Sequence, residues 1–261
     1  MEYGLKGKTA LVLASSQGLG KAIAEKLAQE GANVMLSGRH PEKLAAVKAE
    51  LVSNYHANVE YQKCDVTNSE ELKKLVETTA DTFGTIDILI NNAGGPPAGS
   101  FEDLSDEMWQ KAFELNLLSF VRTIRFALPH LKKQGGRIIN IASSSIKEPI
   151  PGLILSNTFR VGIVGMSKTL AEEFAPYGIL INTVAPGRIA TDRVRHLDEI
   201  NAEKRGVSVE ELENQMKGNI PLGRYGKPEE FANVVVFLAS DANTYMTGSS
   251  FMVDGGMIRS I

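Results

Sequence analysis

The sequence predicts one doubly wound α/β domain: a parallel sheet with helices on both faces, in three α/β/α layers. Three observations lead there. Short apolar runs alternate with amphipathic segments along all 261 residues. The runs are apolar on both faces, as strands are when helices cover each side. No linker, internal repeat or low-complexity stretch interrupts the alternation, so a single domain over residues 1–261 is expected.

Residues 8–13 read as the first strand. Residues 18–30 read as a helix because Ile23, Ala24, Leu27 and Ala28 recur on one face, and Gly31 stops it. A strand over 33–37, a helix over 41–54 and a strand over 59–63 follow. The alternation continues with a helix over 69–83 and a strand over 86–91. A long helix is expected over 106–128, then a strand over 137–141 and a helix over 153–174. A strand over 179–184, a helix over 228–239 and a short strand over 250–253 complete the pattern. Right-handed crossovers turn this order into a doubly wound sheet. Residues 188–219 break the rhythm. They are polar and charged, expected to be irregular and partly helical, and read as a lid over the site.

Hydrophobic residues make up 43% of the chain, ample for a buried core. A formal net charge of −3 without a dense basic run argues against a nucleic-acid surface. Cys64 is the only cysteine, so no intrachain disulfide forms, which fits a reducing compartment. Residues 1–8 hold no apolar leader, and no stretch nears the ~18 apolar residues of a membrane span. The expected location is cytoplasmic, with no membrane partner and no metal.

The first strand runs into Ala14-Ser15-Ser16-Gln17-Gly18-Leu19-Gly20, and a helix follows. In that setting glycines let the backbone approach a pyrophosphate, and the helix start offers N–H donors and a positive dipole end. The same glycines alone would serve any tight turn. Cys64-Asp65-Val66 follows the third strand, where Asp65 suits an adenine amino group or else an N-cap. Asn91-Asn92-Ala93-Gly94 ends the fourth strand after Ile-Asp-Ile-Leu-Ile, a run more specific than a plain turn. Ala185-Pro186-Gly187 ends the sixth strand, with Ile189 and Thr191 beyond it. A Rossmann fold with a dinucleotide at its strand ends accommodates all of these.

In order and spacing these segments resemble the short-chain dehydrogenase/reductase family over nearly the whole length. Asn116 in Leu-Asn-Leu, Pro-Leu-Gly-Arg at 221–224 and Val-Asp-Gly-Gly at 253–256 add to the likeness. The resemblance implies that the turn Ser15, Ser16, Gln17, Gly18, Leu19, Gly20 holds the pyrophosphate. Asp65 and Val66 would hold the adenine, and Asn92, Ala93 and Gly94 the adenosine ribose side. Pro186, Gly187, Ile189 and Thr191 would hold the carboxamide and phosphates. It also implies a small-molecule substrate and a homotetramer built on the two long helices and the last strand. One departure stands at the start of the glycine-rich turn, where Leu13-Ala14 replaces Thr-Gly. Alanine there costs little if its φ is negative.

An NAD site usually has an acid at the end of the second strand. Here that strand ends Leu36-Ser37-Gly38-Arg39. Arg39 suits a 2′-phosphate, which a carboxylate would repel, and Ser15, Ser16 and Ser37 are candidate hydroxyl donors. Otherwise Arg39 pairs with Glu42 in solvent. NADP(H) is the expected cofactor, with NAD(H) as the alternative.

The resemblance implies a proton relay of Asn, Ser, Tyr and Lys. Asn116 and Ser143 match the first two. Gly165, Leu170, Ala171 and Pro176-Tyr177-Gly178 fix the alignment of the others at Ser156 and Arg160, with the spacing of four kept. A serine hydroxyl is a far weaker acid than a phenol and reaches less far. Arg160 can hydrogen-bond ribose hydroxyls but does not shuttle protons at neutral pH. Lys147, Glu148 and His196 are candidate substitutes, unless they are silent surface residues. Arg188, Arg193 and Arg195 hint at an anionic substrate, or else pair with Asp192, Asp198 and Glu199. A nucleophilic role for Ser143, Ser144 or Ser145 lacks a base.

Two functions follow. One is an atypical NADP(H)-dependent oxidoreductase acting on a carbonyl or alcohol, such as a 3-oxoacyl thioester or another small ketone. Its catalytic group would be Asn116, Ser143, Ser156 and Arg160, its proton coming from water, Ser156 or a lid residue. The other is a dinucleotide-binding sensor or assembly protein without turnover. Nothing in the sequence speaks for or against an elimination or isomerisation.

Overall fold

The computed structural model describes residues 2–260. Strands β1 (Thr9–Val12), β2 (Asn33–Gly38), β3 (Val59–Lys63), β4 (Ile88–Asn91), β5 (Gly136–Ile141), β6 (Ile179–Pro186) and β7 (Ser250–Val253) form one sheet. Its order is β3-β2-β1-β4-β5-β6-β7, parallel throughout. The winding reverses between β1 and β4, where Ala10 pairs with Ile88 and Val12 with Ile90. A crevice opens beyond the carboxyl ends of strands at such a switch point.

The helices are α1 (Gly18–Gln29), α2 (Pro41–Tyr55), α3 (Ser69–Phe83), α4 (Asp106–Phe113), α5 (Ser119–Leu131), α6 (Ile154–Phe174), α7 (Asp192–Arg205), α8 (Val209–Gly218) and α9 (Pro228–Ala239). Alternate strand residues feed two cores, as the pleat dictates. Val12, Val34 and Leu36 meet Ile23, Leu27 and Phe231 on one side. Leu11, Met35 and Leu89 meet Leu72, Leu75 and Phe120 on the other. Local signals set the helix ends. Asn68 Oδ1 accepts from the N–H groups of Glu70 and Glu71 to start α3, and left-handed Gly84 ends it.

Two expectations need correction. The helix read over 106–128 is not continuous. A π turn, Glu114–Leu118, separates α4 from α5, and α5 runs on to Leu131. The wider turn brings Asn116 inward, where it is fully buried. Residues 188–219 are mostly two helices rather than irregular. Thr191 Oγ1 accepts from Val194 N to cap α7, and Ser208 Oγ from Glu211 N to cap α8.

A buried polar row crosses the middle of the sheet. Asn91 donates to Asn140 Oδ1 at 2.9 Å, and Asn140 to Ser167 Oγ at 2.9 Å. Thr183 Oγ1 donates to the same hydroxyl at 3.1 Å. Among the described residues, no helix is long and apolar enough to cross a membrane.

Candidate active site

At the switch point β1 turns through Ala14 into α1. Ala14 has φ 49°, so the condition under which alanine would be harmless is not met. A left-handed non-glycine residue costs about 1–2 kcal/mol. Gly20 is fixed by crowding. A Cβ there would lie 2.3 Å from the Ala14 carbonyl oxygen and 2.9 Å from Asn92 Nδ2. Asn92 Nδ2 donates to the carbonyls of Leu13 and Ala14, each at 3.3 Å, tying the β4 turn to the glycine-rich turn. Helix α1 starts without a side-chain cap and without an acid in its first turn. Its first N–H groups therefore have no carboxylate competitor. Gly94 faces open space. An anionic dinucleotide fits this cradle.

Asp65 Oδ1 accepts from Thr67 N and Oγ1, while Asn68 rather than Asp65 caps α3. Asp65 Oδ2 has no hydrogen-bond partner among the described residues. Val66 is buried in the adjoining core. Gly187 N donates to the Val253 carbonyl at 2.9 Å, which packs the Pro186-Gly187 turn beside Asp254. Ile189 has a buried side chain and pairs with Gly226, whose bonds run to Arg188 and Ala190. The main chain of Ile189 itself therefore faces away from Gly226. The Thr191 methyl carbon lies 3.9 Å from where a Gly18 Cβ would stand.

Around the 2′ position the expected hydroxyl donors change. Ser15 Oγ donates to Val12 O at 2.9 Å and accepts from Ser37 N at 2.9 Å; Ser37 Oγ donates to Val12 O at 3.2 Å. Both side chains are buried and staple β1 to β2, so neither hydroxyl is available to a phosphate. Ser16 alone of the three is partly exposed. Arg39 is exposed and is not paired with Glu42, which faces His40 at 3.4 Å instead. Lys43, which no motif marked, donates to Gln17 Oε1 at 3.1 Å. Its signal was its place in the first turn of α2, opposite the glycine-rich turn.

At the reacting end, Asn116 Nδ2 donates to the Gly94 carbonyl at 2.8 Å, and its Oδ1 is buried without a partner among the described residues. Ser143 Oγ accepts from Ser145 N at 3.2 Å and keeps its own proton to donate. Ser156 and Arg160 project from one face of α6, only 9% and 4% exposed. The Ser156 hydroxyl has no hydrogen-bond partner among the described residues. Arg160 reaches the main chain instead. Nη1 donates to Ile141 O at 2.7 Å and Nη2 to Ala93 O at 3.2 Å, while Nε is left unpartnered. No carboxylate pairs with it among the described residues. Burial pushes its guanidinium down to about 10, so it stays cationic at neutral pH. The unpartnered atoms of Asn91, Asn116, Ser145 and Arg160 all belong to the ends of β4 and β5 or the segments packed on them. Such sites are completed by ligand or water.

The remaining candidates divide. Lys147 is exposed. Glu148 Oε1 accepts from the N–H groups of Arg259 and Ser260, each at 2.9 Å. His196 stays at the surface, 62% exposed and 3.6 Å from Glu199. Arg188 is ion-paired with buried Asp198, which also accepts from Tyr225 OH at 2.9 Å. Arg193 Nη2 donates to Pro96 O at 3.0 Å and has no carboxylate partner among the described residues. Arg195 is exposed. Of the three arginines, then, only Arg188 pairs with an acid among the described residues. Cys64, beside Asp65, is buried; that burial, then Glu71 and Asp65, pushes its thiol up to about 12.

A family model described as enoyl-(acyl carrier protein) reductase matches residues 13–258. A 3-oxoacyl-(acyl-carrier-protein) reductase of Aquifex aeolicus is 37% identical over 258 residues, 98% of this chain and 100% of that one. L-sorbose reductase from Gluconobacter frateurii, solved with NADPH and L-sorbose, has a TM-score of 0.95 at 33% identity and 100% coverage of both chains. An NADPH-bound short-chain oxidoreductase from Pseudomonas aeruginosa PAO1, described as containing an atypical catalytic center, has a TM-score of 0.91 at 31% identity. It covers 99% of this chain and 100% of its own. With the parallel sheet, its switch-point crevice and these full-length likenesses together, the chain belongs to the short-chain dehydrogenase/reductase family of NAD(P)-dependent oxidoreductases.

Proposed function

We propose that the protein is an NADP(H)-dependent oxidoreductase of a small carbonyl or alcohol substrate that works without a phenolic acid. The observation that carries this reading is the cradle at the switch point: an uncapped, acid-free start of α1 facing the open backbone of Gly94. The main chain from Ser16 to Gly20 holds the pyrophosphate, and Asp65 Oδ2 takes the adenine amino group. Ile189 offers its main chain to the carboxamide. Arg39 and Lys43 face the 2′-phosphate, and no acid at the end of β2 opposes it.

A bound nicotinamide supplies or accepts the hydride. The chain's residues do the rest. Ser143 donates its hydroxyl proton in a hydrogen bond to the substrate oxygen. Arg160 fixes the Ala93 carbonyl and with it the ribose-side turn. The free Ser156 hydroxyl relays a proton from water to the substrate oxygen as it becomes a hydroxyl, and the reverse way when an alcohol is oxidised. A positioned acid is worth ~10²–10⁴-fold, so the enzyme is slow. Residues 188–219 act as the lid. From it Arg193, without a counter-charge, favours a substrate carrying an anionic group. Val161 on α6, 49% exposed, supports the homotetramer.

The test follows NADPH oxidation by absorbance with 3-oxoacyl thioesters, sugars, keto acids and quinones. The double variant Ser156→Tyr/Arg160→Lys runs alongside. Turnover by the wild type sustains the reading. A silent wild type beside an active double variant favours the second reading, a dinucleotide-binding protein without turnover. The commitment of Arg160 to main-chain carbonyls is the observation on that side.

A further inference from the structure

Glu148 stands at the far end of the loop that begins with Ser143. The loop is compact: Ser145 N donates to Ser143 Oγ at 3.2 Å, and Glu148 N to Ser144 O at 3.3 Å. Past Glu148, Asn157 grips Ile150 through its N–H at 3.2 Å and its carbonyl at 3.0 Å. That grip lies one residue from Ser156. The Glu148 carboxylate points the other way, to the consecutive N–H groups of Arg259 and Ser260. One carboxylate oxygen accepting from two adjacent N–H groups ties the two segments together.

The segment it holds is anchored at its other end. Asp254 accepts from Gly256 N at 3.0 Å and Ile258 N at 2.8 Å. Gly255 and Gly256 lie against the chain that leaves α8. A Cβ on Gly255 would come 2.8 Å from Ile220, and one on Gly256 3.1 Å from Pro221. Leu222 N donates to Gly255 O at 3.3 Å. Among the described residues, Asp254 and Glu148 are the only side chains bonded to residues 256–260. One continuous path therefore runs from α8 through 220–222 and 254–260 to Glu148 and Ser143.

We propose that Glu148 is a positioning residue that couples the α7–α8 segment to the serine loop. Closure of that segment over the nicotinamide end and placement of Ser143 are then set together. The closure and its response to NADPH rest on the cofactor and lid assignments of the proposed function, and the catalytic consequence on its oxidoreductase reading.

The test is amide hydrogen exchange, read by mass spectrometry, on the full chain with and without saturating NADPH. In the wild type NADPH slows exchange over 192–222 and 143–148. In Glu148→Ala that protection falls about tenfold in both segments. Glu148→Gln, which keeps an acceptor, restores it. Ser260→Pro, which deletes one donor at an exposed site, reproduces the loss, and combining it with Glu148→Ala adds nothing. If Glu148→Ala does not fold, Glu148→Gln and Ser260→Pro decide alone. Faster exchange confined to 256–260, or additive effects of the two changes, overturns the proposal. Silence in the ketone assay strikes the oxidoreductase reading and leaves this result standing, because the exchange needs NADPH alone.

Discussion

Arg160 Nη1 donates to the carbonyl of Ile141 at 2.7 Å, while Nη2 of the same fork reaches Ala93 at 3.2 Å. The guanidinium thus bridges the ends of β4 and β5. At neutral pH the group is charged both folded and unfolded, and burial, which lowers its value to about 10, opposes folding by about 3 kcal/mol. Leaving two buried carbonyls unsatisfied would cost about 1–3 kcal/mol each. The two effects nearly cancel, so this arginine holds geometry more than it adds stability.

Arg160→Met is therefore expected to shift Tm by no more than about 3 °C. It is expected to weaken NADPH binding about tenfold, because the Ala93-Gly94 turn loses its anchor. Thermal melts beside fluorescence titration check this. A large loss of Tm with intact affinity would reverse the assignment.

Ser156→Ala is expected to leave NADPH affinity unchanged, since the hydroxyl has no partner among the described residues. In any assay with turnover it should lower kcat. Unchanged kcat removes Ser156 from the proton path.

Arg39→Ala is expected to weaken NADPH about tenfold and leave NADH unaffected, with Lys43→Ala losing about threefold. Both effects should shrink in high salt, because the groups are exposed. Equal wild-type affinity for the two cofactors would sink the 2′-phosphate assignment.

Ala14→Gly relieves a left-handed alanine, a gain of about 1–2 kcal/mol, offset by about 0.5–1 kcal/mol of glycine entropy. A rise in Tm of about 1–3 °C is expected. A lower Tm would mean the turn adopts another conformation.

Cys64 is expected to resist thiol reagents in the folded protein and react once unfolded, because the thiolate is the reactive form. Its raised pKa adds stability below about 9 that is lost as pH rises from 9.0 to about 12. Rapid labelling of the native protein at mildly alkaline pH would contradict its burial.

The strands and most helices were legible because burial on both faces leaves a period that composition cannot hide. The break at Asn116 was not. Leu115, Leu117 and Leu118 keep the π turn as apolar as the helices beside it, so the phase slip leaves no gap. Residues 188–219 were expected to be only partly helical, and the bounds of α7 were not legible because it is mostly polar and buries few residues. Once the resemblance had placed Ser156 and Arg160, their shared helix face was legible from the spacing of four. Where the guanidinium goes was not, since its partners, the last residue of β5 and the turn after β4, lie 19 and 67 residues away. Ser15 and Ser37 misled for a similar reason. Whether their hydroxyls face crevice or sheet depends on the phase in which β1 and β2 end.

The polar row from Asn91 through Asn140 and Ser167 to Thr183 bears on how the chain assembles. Its links span 49, 27 and 16 residues, so no hairpin or single helix can build any part of it alone. Until β4, β5, α6 and β6 have met, the two side-chain amides and the Thr183 hydroxyl are served by water. Once they meet, a one-residue slip of any strand would strand several of them in a dry interior. Collapse of the apolar faces alone tolerates such slips. The row disfavours them, and so fixes the register of the assembled sheet.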